Sequence, residues 1–441
     1  ELVATDLTQK NYDPGDLEFG TTYYWKVVAK DSKGAKSEGP IWSFTTISNR
    51  APATPSNPNP ADGADNVSLD VTLSWECSDP DGDTLKYDVY FGTTQDPELV
   101  ATDLTQKNYD PGDLEFGTTY YWKVVAKDSK GAKSEGPIWS FTTIIPSNPQ
   151  IVGSMDIERE GIGGALGLYV LGDYAYIGDG ENGLVIVDVS DKADPQQVGH
   201  LDTNGYAVGV SVSGDYAYIG DGENGLVIVD VNNKANPQQV GHLDTDGAAY
   251  GIYVSGNYAY IGDWENGLVI VDVSDKTSPQ QIGHLDTDGT ACSVYVSGDY
   301  AYISDMYNGL VIVDVSDKTN PQQIGHLNTD GAAYGIYVSG DYAYIGDGEN
   351  GLVIVDVSDK ANPQQVGHLD TDGAAAGVYV SGNYAYIADY TNGLVIVDVS
   401  DKANPQQIGH LSVDPGAMDV QVVSGYAYVT DFLGLTIVGF Q

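Results

Sequence analysis

Residues 216–230 read YAYIGDGENGLVIVD: a short strand pattern, a glycine-rich turn and a second, wholly apolar run. The triplet Tyr-Ala-Tyr recurs every 42 residues, at 174, 216, 258, 300, 342, 384 and 426. The run Leu-Val-Ile-Val-Asp begins at 184, 226, 268, 310, 352 and 394, with a variant, Leu-Thr-Ile-Val, at 435. A run that is apolar at every position is typical of a strand buried on both faces. The repeat therefore predicts sheets that stack face against face.

Each repeat holds four short β-runs. In the second repeat these are 209–212, 216–219, 226–229 and 239–242. Four strands in a period near 42 indicate the blade of a β-propeller. The 293 residues of 149–441 hold close to seven such periods. The last repeat stops after its third strand, whereas residues 149–155 match the fourth-strand pattern. We therefore predict that 149–155 close the last blade and join the two ends of the ring.

The first third of the chain carries a different repeat. Residues 1–47 recur unchanged at 98–144, and only the second copy is preceded by a further half module, 51–97. Alternating apolar and polar residues between turn residues predict a small β-sandwich for the complete module. Half a sandwich would expose its core face. Residues 1–47 are therefore either truncated or completed by another chain, and both interpretations stay open.

Two family resemblances follow from these motifs. The complete module resembles a fibronectin type III domain, through Trp75, the YYWKV stretch at 120–124 and the GPIWSFTT stretch at 136–143. That resemblance implies a spacer or adhesion module. The 42-residue repeats resemble the LVIVD-repeat propellers of bacterial and archaeal surface proteins. This second resemblance implies a secreted or cell-surface protein, and it implies no established chemistry.

We therefore predict an all-β protein with a seven-bladed propeller preceded by one and a half fibronectin type III-like modules. The predicted segments are a half module at 1–47, a linker at 48–57, a complete module at 58–144, a linker at 145–148 and the propeller at 149–441.

Charge and cysteine content exclude several classes of function. Nineteen basic against 63 acidic residues give a net charge of −44, which argues against nucleic acid as a partner. No run of 18 apolar residues is present, so no membrane insertion is expected. Cys77 and Cys292 fall in different segments, and we expect no disulfide between them.

All six histidines occupy equivalent positions in successive repeats. Metal ligands must converge on one ion, whereas these side chains would be spread around the ring, so we predict a structural role. The order of the motifs resembles that of WD-repeat propellers, which implies a hydrogen bond from each histidine to a turn aspartate, His200 to Asp221 and His410 to Asp431. The six histidines are His200, His242, His284, His326, His368 and His410.

Acidic loops offer a possible calcium site. Asp79, Asp81 and Asp83 lie in a DPDGD loop of the complete module, and Ca²⁺ prefers carboxylate oxygens. The alternative is that Asp-Gly is simply a tight turn. No other cofactor and no catalytic residue are predicted.

Large side chains replace glycine or small residues at a few positions of the repeats. They follow the turn aspartate or start the inner strand, which places them on one face near the central opening. Such residues tend to mark contact sites, and the alternative is drift with packing on adjacent loops. The predicted ligand- or partner-binding residues are Tyr250, Trp264, Met306, Tyr307, Tyr334, Tyr390 and Phe432.

These observations favour a non-enzymatic, extracellular cell-surface protein that works by binding or adhesion. The expected partner is a cell-surface protein, a carbohydrate or a copy of the chain itself. A self-assembling subunit of a surface layer, sheath or fibre is the alternative, favoured by the half module. A polysaccharide-active enzyme is a further alternative, although the equivalent carboxylates single out no catalytic pair.

Overall fold

The computed structural model describes residues 2–157, 164–413 and 416–440. Every regular element among them is a β-strand, and none of the described residues forms a helix that could cross a membrane. The chain divides into two compact units. The first comprises Glu1–Asp65, Val71–Pro111 and Thr119–Thr142; the second comprises Asn66–Asp70, Gly112–Thr118 and Thr143–Gln441.

The half module forms two small antiparallel sheets in the first unit. Strand β1 (Thr22–Trp25) pairs with β4 (Trp42–Thr45), and β2 (Val28–Lys30) pairs with β3 (Lys36–Glu38).

The complete module contributes two larger sheets. Its strands in chain order are β5 (Ser56–Asn59), β6 (Ala64–Val67), β7 (Leu73–Glu76), β8 (Leu85–Gly92), β9 (Glu98–Leu104), β10 (Asn108–Tyr109), β11 (Thr119–Asp128), β12 (Lys133–Glu135) and β13 (Trp139–Thr143). One sheet has the order β10-β7-β5, and the other has the order β6-β13-β11-β8-β9, with β12 also paired to β11.

Equivalent side chains of the two identical copies have different solvent exposure. Trp122 is 0% exposed in the complete module, whereas its counterpart Trp25 is 49% exposed in the half module. Phe141 and Phe44 differ in the same way. In the complete module Trp122 packs near Trp75, which belongs to the stretch that the first copy lacks. Contact with the 51–97 stretch therefore accounts for the burial of Trp122.

We expect Trp122→Ala to lower the free energy of unfolding of the module by about 3–5 kcal/mol, because a buried indole is lost. The matched variant Trp25→Ala is expected to cost less than about 1 kcal/mol, because its indole is half exposed. Hydrogen exchange across a urea series measures both effects, at the β8 amides for Trp122→Ala and at the β1 amides for Trp25→Ala. Equal losses would contradict the difference in packing.

The second unit contains seven antiparallel sheets of four strands within its described residues. In chain order the first fifteen strands of the unit are β14 (Pro149–Asp156), β15 (Gly167–Leu171), β16 (Tyr174–Gly178), β17 (Leu184–Asp188), β18 (Gln196–Leu201), β19 (Gly209–Ser213), β20 (Tyr216–Gly220), β21 (Leu226–Asp230), β22 (Gln238–Leu243), β23 (Ile252–Ser255), β24 (Tyr258–Gly262), β25 (Leu268–Asp272), β26 (Gln280–Leu285), β27 (Ser293–Ser297) and β28 (Tyr300–Ser304).

The remaining strands are β29 (Leu310–Asp314), β30 (Gln322–Leu327), β31 (Ile336–Ser339), β32 (Tyr342–Gly346), β33 (Leu352–Asp356), β34 (Gln364–Leu369), β35 (Ala375–Ser381), β36 (Tyr384–Asp389), β37 (Gly393–Asp398), β38 (Gln406–Leu411), β39 (Ala417–Val423), β40 (Tyr426–Asp431) and β41 (Gly434–Phe440). Six sheets take four consecutive strands each, from β15–β18 to β35–β38, and the seventh has the order β14-β41-β40-β39.

The third strand of each consecutive sheet is buried on both faces. Leu184 and Ile186 of β17 pack with Val227 and Val229 of β21 in one shared cluster, and all four side chains are 0% exposed. The same shared cluster recurs between later sheets. Apolar burial between neighbouring sheets is therefore the main source of stability in this unit.

Two contacts close the array of sheets. Strand β14 pairs with β41, from Pro149 opposite Phe440 to Asp156 opposite Gly434. Each first strand contacts the first strand of the next sheet, and β39 contacts β15, so that the first strands form a closed cycle. The last sheet thus takes one strand from the beginning of the unit and three from its end.

Candidate functional site

The turn between the second and third strands is built on a buried aspartate. In the second repeat Asp221 accepts hydrogen bonds from the Thr203 hydroxyl at 2.6 Å and the Asn224 amide at 2.7 Å. Burial raises the pKa of Asp221, although these two bonds lower it. Such aspartates are buried in all seven repeats, at Asp179, Asp221, Asp263, Asp305, Asp347, Asp389 and Asp431. These aspartates therefore stabilise the turn itself.

The predicted partner of the histidines is wrong. His200 Nε2 lies 2.7 Å from the backbone carbonyl of Asn182, and His410 makes the equivalent bond to Asn392 at 2.6 Å. The strand register explains the difference, because Val185 lies opposite His200 and so places the ring beside the turn that precedes β17. Asp221 belongs to the next sheet, where Thr203 reaches it. The other four histidines bond equivalent carbonyls.

Two of the predicted binding residues occupy a backbone conformation that favours glycine. Three turns of the ring have Gly180, Gly222 and Gly348 at φ near 57–59°. The equivalent residues Trp264 and Met306 have φ of 51° and 32°. A side chain in this left-handed region costs about 1–2 kcal/mol. The backbone holds it there, since the carbonyls of Trp264 and Met306 each accept a bond from an alanine of the next sheet.

Five predicted residues lie close together on adjacent sheets. The rings of Tyr250 and Trp264 are 4.3 Å apart. Burial raises the pKa of the Tyr250 and Tyr334 hydroxyls, and the nearby Cys292 raises both further, as Tyr307 does for Tyr334. We call this group the aromatic arc, and it consists of Tyr250, Trp264, Met306, Tyr307 and Tyr334 around Cys292. Tyr307 is 78% exposed, so the arc is open to solvent.

The remaining two predicted residues form a separate pair. Tyr390 and Phe432 meet edge to face, with ring centroids 5.6 Å apart. Phe432 is partly buried, whereas Tyr390 is 40% exposed.

Cys292 is poorly suited to nucleophilic chemistry. Burial, assisted by the charge of Asp305, raises the pKa of the Cys292 thiol to about 12. A thiol acts as a nucleophile through its thiolate form, so little reactive species is present near neutral pH. Both cysteines are free thiols, and Cys77 donates to the carbonyl of Ala53.

Seven segments, which together cover more than half of the chain, match the family described as LVIVD repeat: 162–203, 204–245, 246–287, 288–329, 330–371, 372–412 and 416–439. The chain belongs to the LVIVD repeat family. The family match covers the repeats and does not extend to the first unit.

Solved structures similar to this LVIVD protein share its fold at low sequence identity. Virginiamycin B lyase from Staphylococcus aureus with quinupristin matches at a TM-score of 0.54 and 11% identity, covering 66% of this chain and 99% of that chain. The β-propeller domain of Cps50 (Swd1) from Myceliophteria thermophila matches at 0.53 and 13%, covering 66% and 100%. These matches show that the repeats form a β-propeller.

One curated relative is similar over a short region. Chitinase A1 of Niallia circulans is 30% identical over 132 residues, which are 29% of this chain. The chain spans only 18% of the length of that relative.

A belt of tyrosines inside the LVIVD ring was not predicted. Tyr253, Tyr295, Tyr337 and Tyr379 occupy equivalent positions on successive first strands, and neighbouring ring centroids lie 4.8–5.1 Å apart. Burial raises the pKa of all four hydroxyls. The 42-residue spacing could have revealed this belt, because Tyr169 occupies the same position in the first repeat.

The lysines opposite the arc, at the other end of the LVIVD sheets, are also tied into the structure. Lys192 donates to the carbonyl of Val189 at 2.6 Å, and its ammonium group lies 5.9 Å from the ring of Tyr426 in the preceding sheet. Lys234 repeats both contacts with Val231 and Tyr174. Equivalent lysines recur at Lys276, Lys318, Lys360 and Lys402.

The junction between the last and first LVIVD sheets has two side chains that no other first strand has at the equivalent positions. Asp419 replaces the glycine or serine of the other first strands and accepts the Leu168 N–H at 3.0 Å. Gln421 replaces a tyrosine or serine and accepts the Val170 N–H at 2.6 Å. Burial raises the pKa of Asp419 to about 7, although backbone N–H donors lower it.

The predicted calcium residues do not stay together. Asp81 pairs with the Arg50 guanidinium at 2.7 Å, which helps to hold the pKa of its carboxyl low. Asp79 and Asp83 lie instead with Asp128, a residue that sequence spacing could not associate with the loop. The structure therefore brings Asp79 and Asp83 together with Asp128 and leaves Asp81 with Arg50, and calcium binding stays a prediction.

We expect Asp419→Asn to flatten the pH dependence of stability. The folded pKa lies above the ordinary value of 3.8, so the folded state binds the extra proton. The contribution of Asp419 to stability is then full below about pH 4 and is lost as the pH rises through about 7. Melting temperatures measured across this pH range test the effect. The control is Asp202→Asn, because Asp202 is exposed to solvent. An unchanged slope in Asp419→Asn would contradict it.

Proposed function

We propose that the protein is a non-enzymatic extracellular binding protein. In this proposal the seven four-stranded sheets are the blades of one closed propeller, and the first unit consists of fibronectin type III-like spacers. The aromatic arc is the binding surface, and a carbohydrate or protein at the cell surface is the partner. The repeat family and the propeller fold support the architecture, and the arc supports the mode of action.

The backbone conformation of Trp264 and Met306 is the observation that carries the proposal. Glycine occupies the same turn in three other repeats and meets no steric cost there. Two bulky side chains on adjacent sheets are kept at this cost in stability, and both are partly exposed members of the aromatic arc. Strain of this kind is typical of functional positions.

The chemistry of the arc suits a sugar ring. Aromatic faces provide apolar stacking surfaces, and the carboxylate of the exposed Glu265, next to Trp264, can accept hydrogen bonds from hydroxyl groups. Because a chitinase shares a short region of similarity, chitin is the first polysaccharide to test.

The substitution Trp264→Gly separates binding from stability. It removes the indole and restores the residue found in three equivalent turns. We expect the melting temperature to stay equal or rise, because the left-handed conformation becomes free of strain. Binding to a polysaccharide and cell-surface protein panel that includes chitin is expected to fall at least about tenfold, since an interface aromatic is lost.

Leu171→Ala serves as the control, because Leu171 is exposed at the opposite end of a first strand. It should leave binding unchanged. Unaltered binding in Trp264→Gly would contradict the proposed surface, and turnover of any polysaccharide by the wild type would favour an enzyme.

Self-assembly is a second candidate function, and the open face of the half module favours it. Tyr24, Trp25 and Ile41 are each at least 49% exposed there. The number of copies of each half module argues against completion by strand exchange. Residues 1–441 contain two copies of the second half, 1–47 and 98–144, and one first half, 51–97. A neighbour that donated 51–97 would open its own module.

We therefore expect light scattering to show a monomer at micromolar concentration. Adding a separate chain with the sequence 51–97 should bind the half module, because it supplies the missing strands. Filaments or sheets of the wild type in electron microscopy would support the structural role instead.

A further inference from the structure

The complete module contains a cluster of oxygen atoms that has no apparent use in the binding proposal. Asp79 and Asp83 come from the loop between β7 and β8, and Asp128 ends β11. One carboxylate oxygen of each lies within 4.8 Å of the others. Three carboxylates this close repel one another unless a cation or protons compensate the charge.

Oδ1 of each carboxylate accepts hydrogen bonds, and in Asp128 Oδ2 also accepts one, from the amide nitrogen of Asn49. Oδ1 of Asp79 accepts the backbone N–H groups of Asp81 and Asp83, at 2.7 and 3.1 Å. Oδ1 of Asp128 accepts those of Lys130 and Ala132, at 2.9 and 2.8 Å. Oδ1 of Asp83 accepts the Ser129 hydroxyl and the Lys130 ammonium. The side chains are therefore oriented before any ligand arrives.

The second oxygens are the unusual feature. Oδ2 of Asp79 and Oδ2 of Asp83 are shielded from solvent and have no hydrogen-bond partner in the described part of the chain. The amide oxygen of Asn49 is in the same condition, and the Asn49 amide nitrogen donates to Asp128 at 2.7 Å. A buried oxygen without a partner is costly and rare. Two of these oxygens belong to the cluster and the third to Asn49 beside it, and a bound cation would supply the partner that they lack.

We propose that Asn49, Asp79, Asp83 and Asp128 bind one Ca²⁺ ion. All the donors are oxygens, three of them carry charge, and Ca²⁺ takes six to eight oxygen ligands, with waters completing the set. The Lys130 ammonium group uses only Oδ1 of Asp83 and leaves Oδ2 to the ion. With four protein side chains we expect a dissociation constant of about 10⁻⁴–10⁻³ M, the range of extracellular modules.

The ion would tie the linker to the module. Asn49 lies between the half module and β5, and the next residue, Arg50, pairs with Asp81. Calcium would join this linker to the β7–β8 loop and to the end of β11. The conformation of the linker that follows the half module would then depend on calcium.

Calorimetric titration of the full chain with CaCl₂ after chelation tests the site. We expect one saturable site per chain, and Asp83→Asn should weaken it at least about tenfold, because a charged ligand is lost. Limited trypsin digestion gives a second measurement. Cleavage after Arg50 should be slower with calcium than with chelator, whereas cleavage at Lys33 in the half module should not change.

Two matched variants act as controls. Asp81→Asn removes a neighbouring carboxylate that is committed to Arg50, and Asp31→Asn removes the identical-sequence counterpart of Asp128 in the copy that lacks Asp79 and Asp83. Both should leave the stoichiometry and affinity nearly unchanged. Asn49→Ala tests the site from the linker if Asp83→Asn folds poorly. No saturable binding to the wild type, or equal weakening by Asp81→Asn, would overturn the proposal.

Discussion

Burial of the third strand on both faces is the constraint on which the second unit depends. A strand such as β21, with Leu226, Val227, Ile228 and Val229 all at 0% exposure, needs an apolar sheet on each side. An open row of such sheets would expose an apolar face at each end. The pairing of β14 with β41 and the contact of β39 with β15 remove both ends. Closure is thus a consequence of the repeat itself.

The same constraint divides the ring into framework and variable positions. The histidines, the lysines and turn aspartates such as Asp221 find partners within or between sheets, so these recurring polar residues stabilise the framework. Side chains that differ from the repeat take no part in these recurring contacts. Several of them form the aromatic arc, and Tyr390 and Phe432 form a separate pair. Asp419 and Gln421 lie at the junction of the last and first sheets, where they accept backbone N–H groups of β15. Departure from the repeat is therefore the useful signal for function and for closure.

Periodicity predicted the repeated four-stranded sheets because strand burial repeats with the sequence. The resemblance to WD-repeat propellers implied Asp221 as the partner of His200, and this was wrong. The antiparallel register decides which turn a side chain reaches, and it places His200 beside Asn182. The Asp79 cluster shows the same limit, since Asp128 joins it only through the fold of the sandwich. The tyrosine belt was visible in the spacing, yet its meaning required knowing that first strands meet around one axis.

The two copies of residues 1–47 show which contacts depend on local sequence and which depend on the surrounding structure. Asp31 and Asp128 lie in the same local sequence, and both accept backbone N–H groups from the residues two and four positions later. Only Asp128 has Asn49, Asp79 and Asp83 beside it. Local sequence therefore builds the loop, but the oxygen cluster arises only where the linker and the β7–β8 loop of a complete module are present. A calcium ion could therefore bind only at a complete module, where it would hold the preceding linker against the module. Binding through the aromatic arc needs none of these residues, so the two activities can be tested separately.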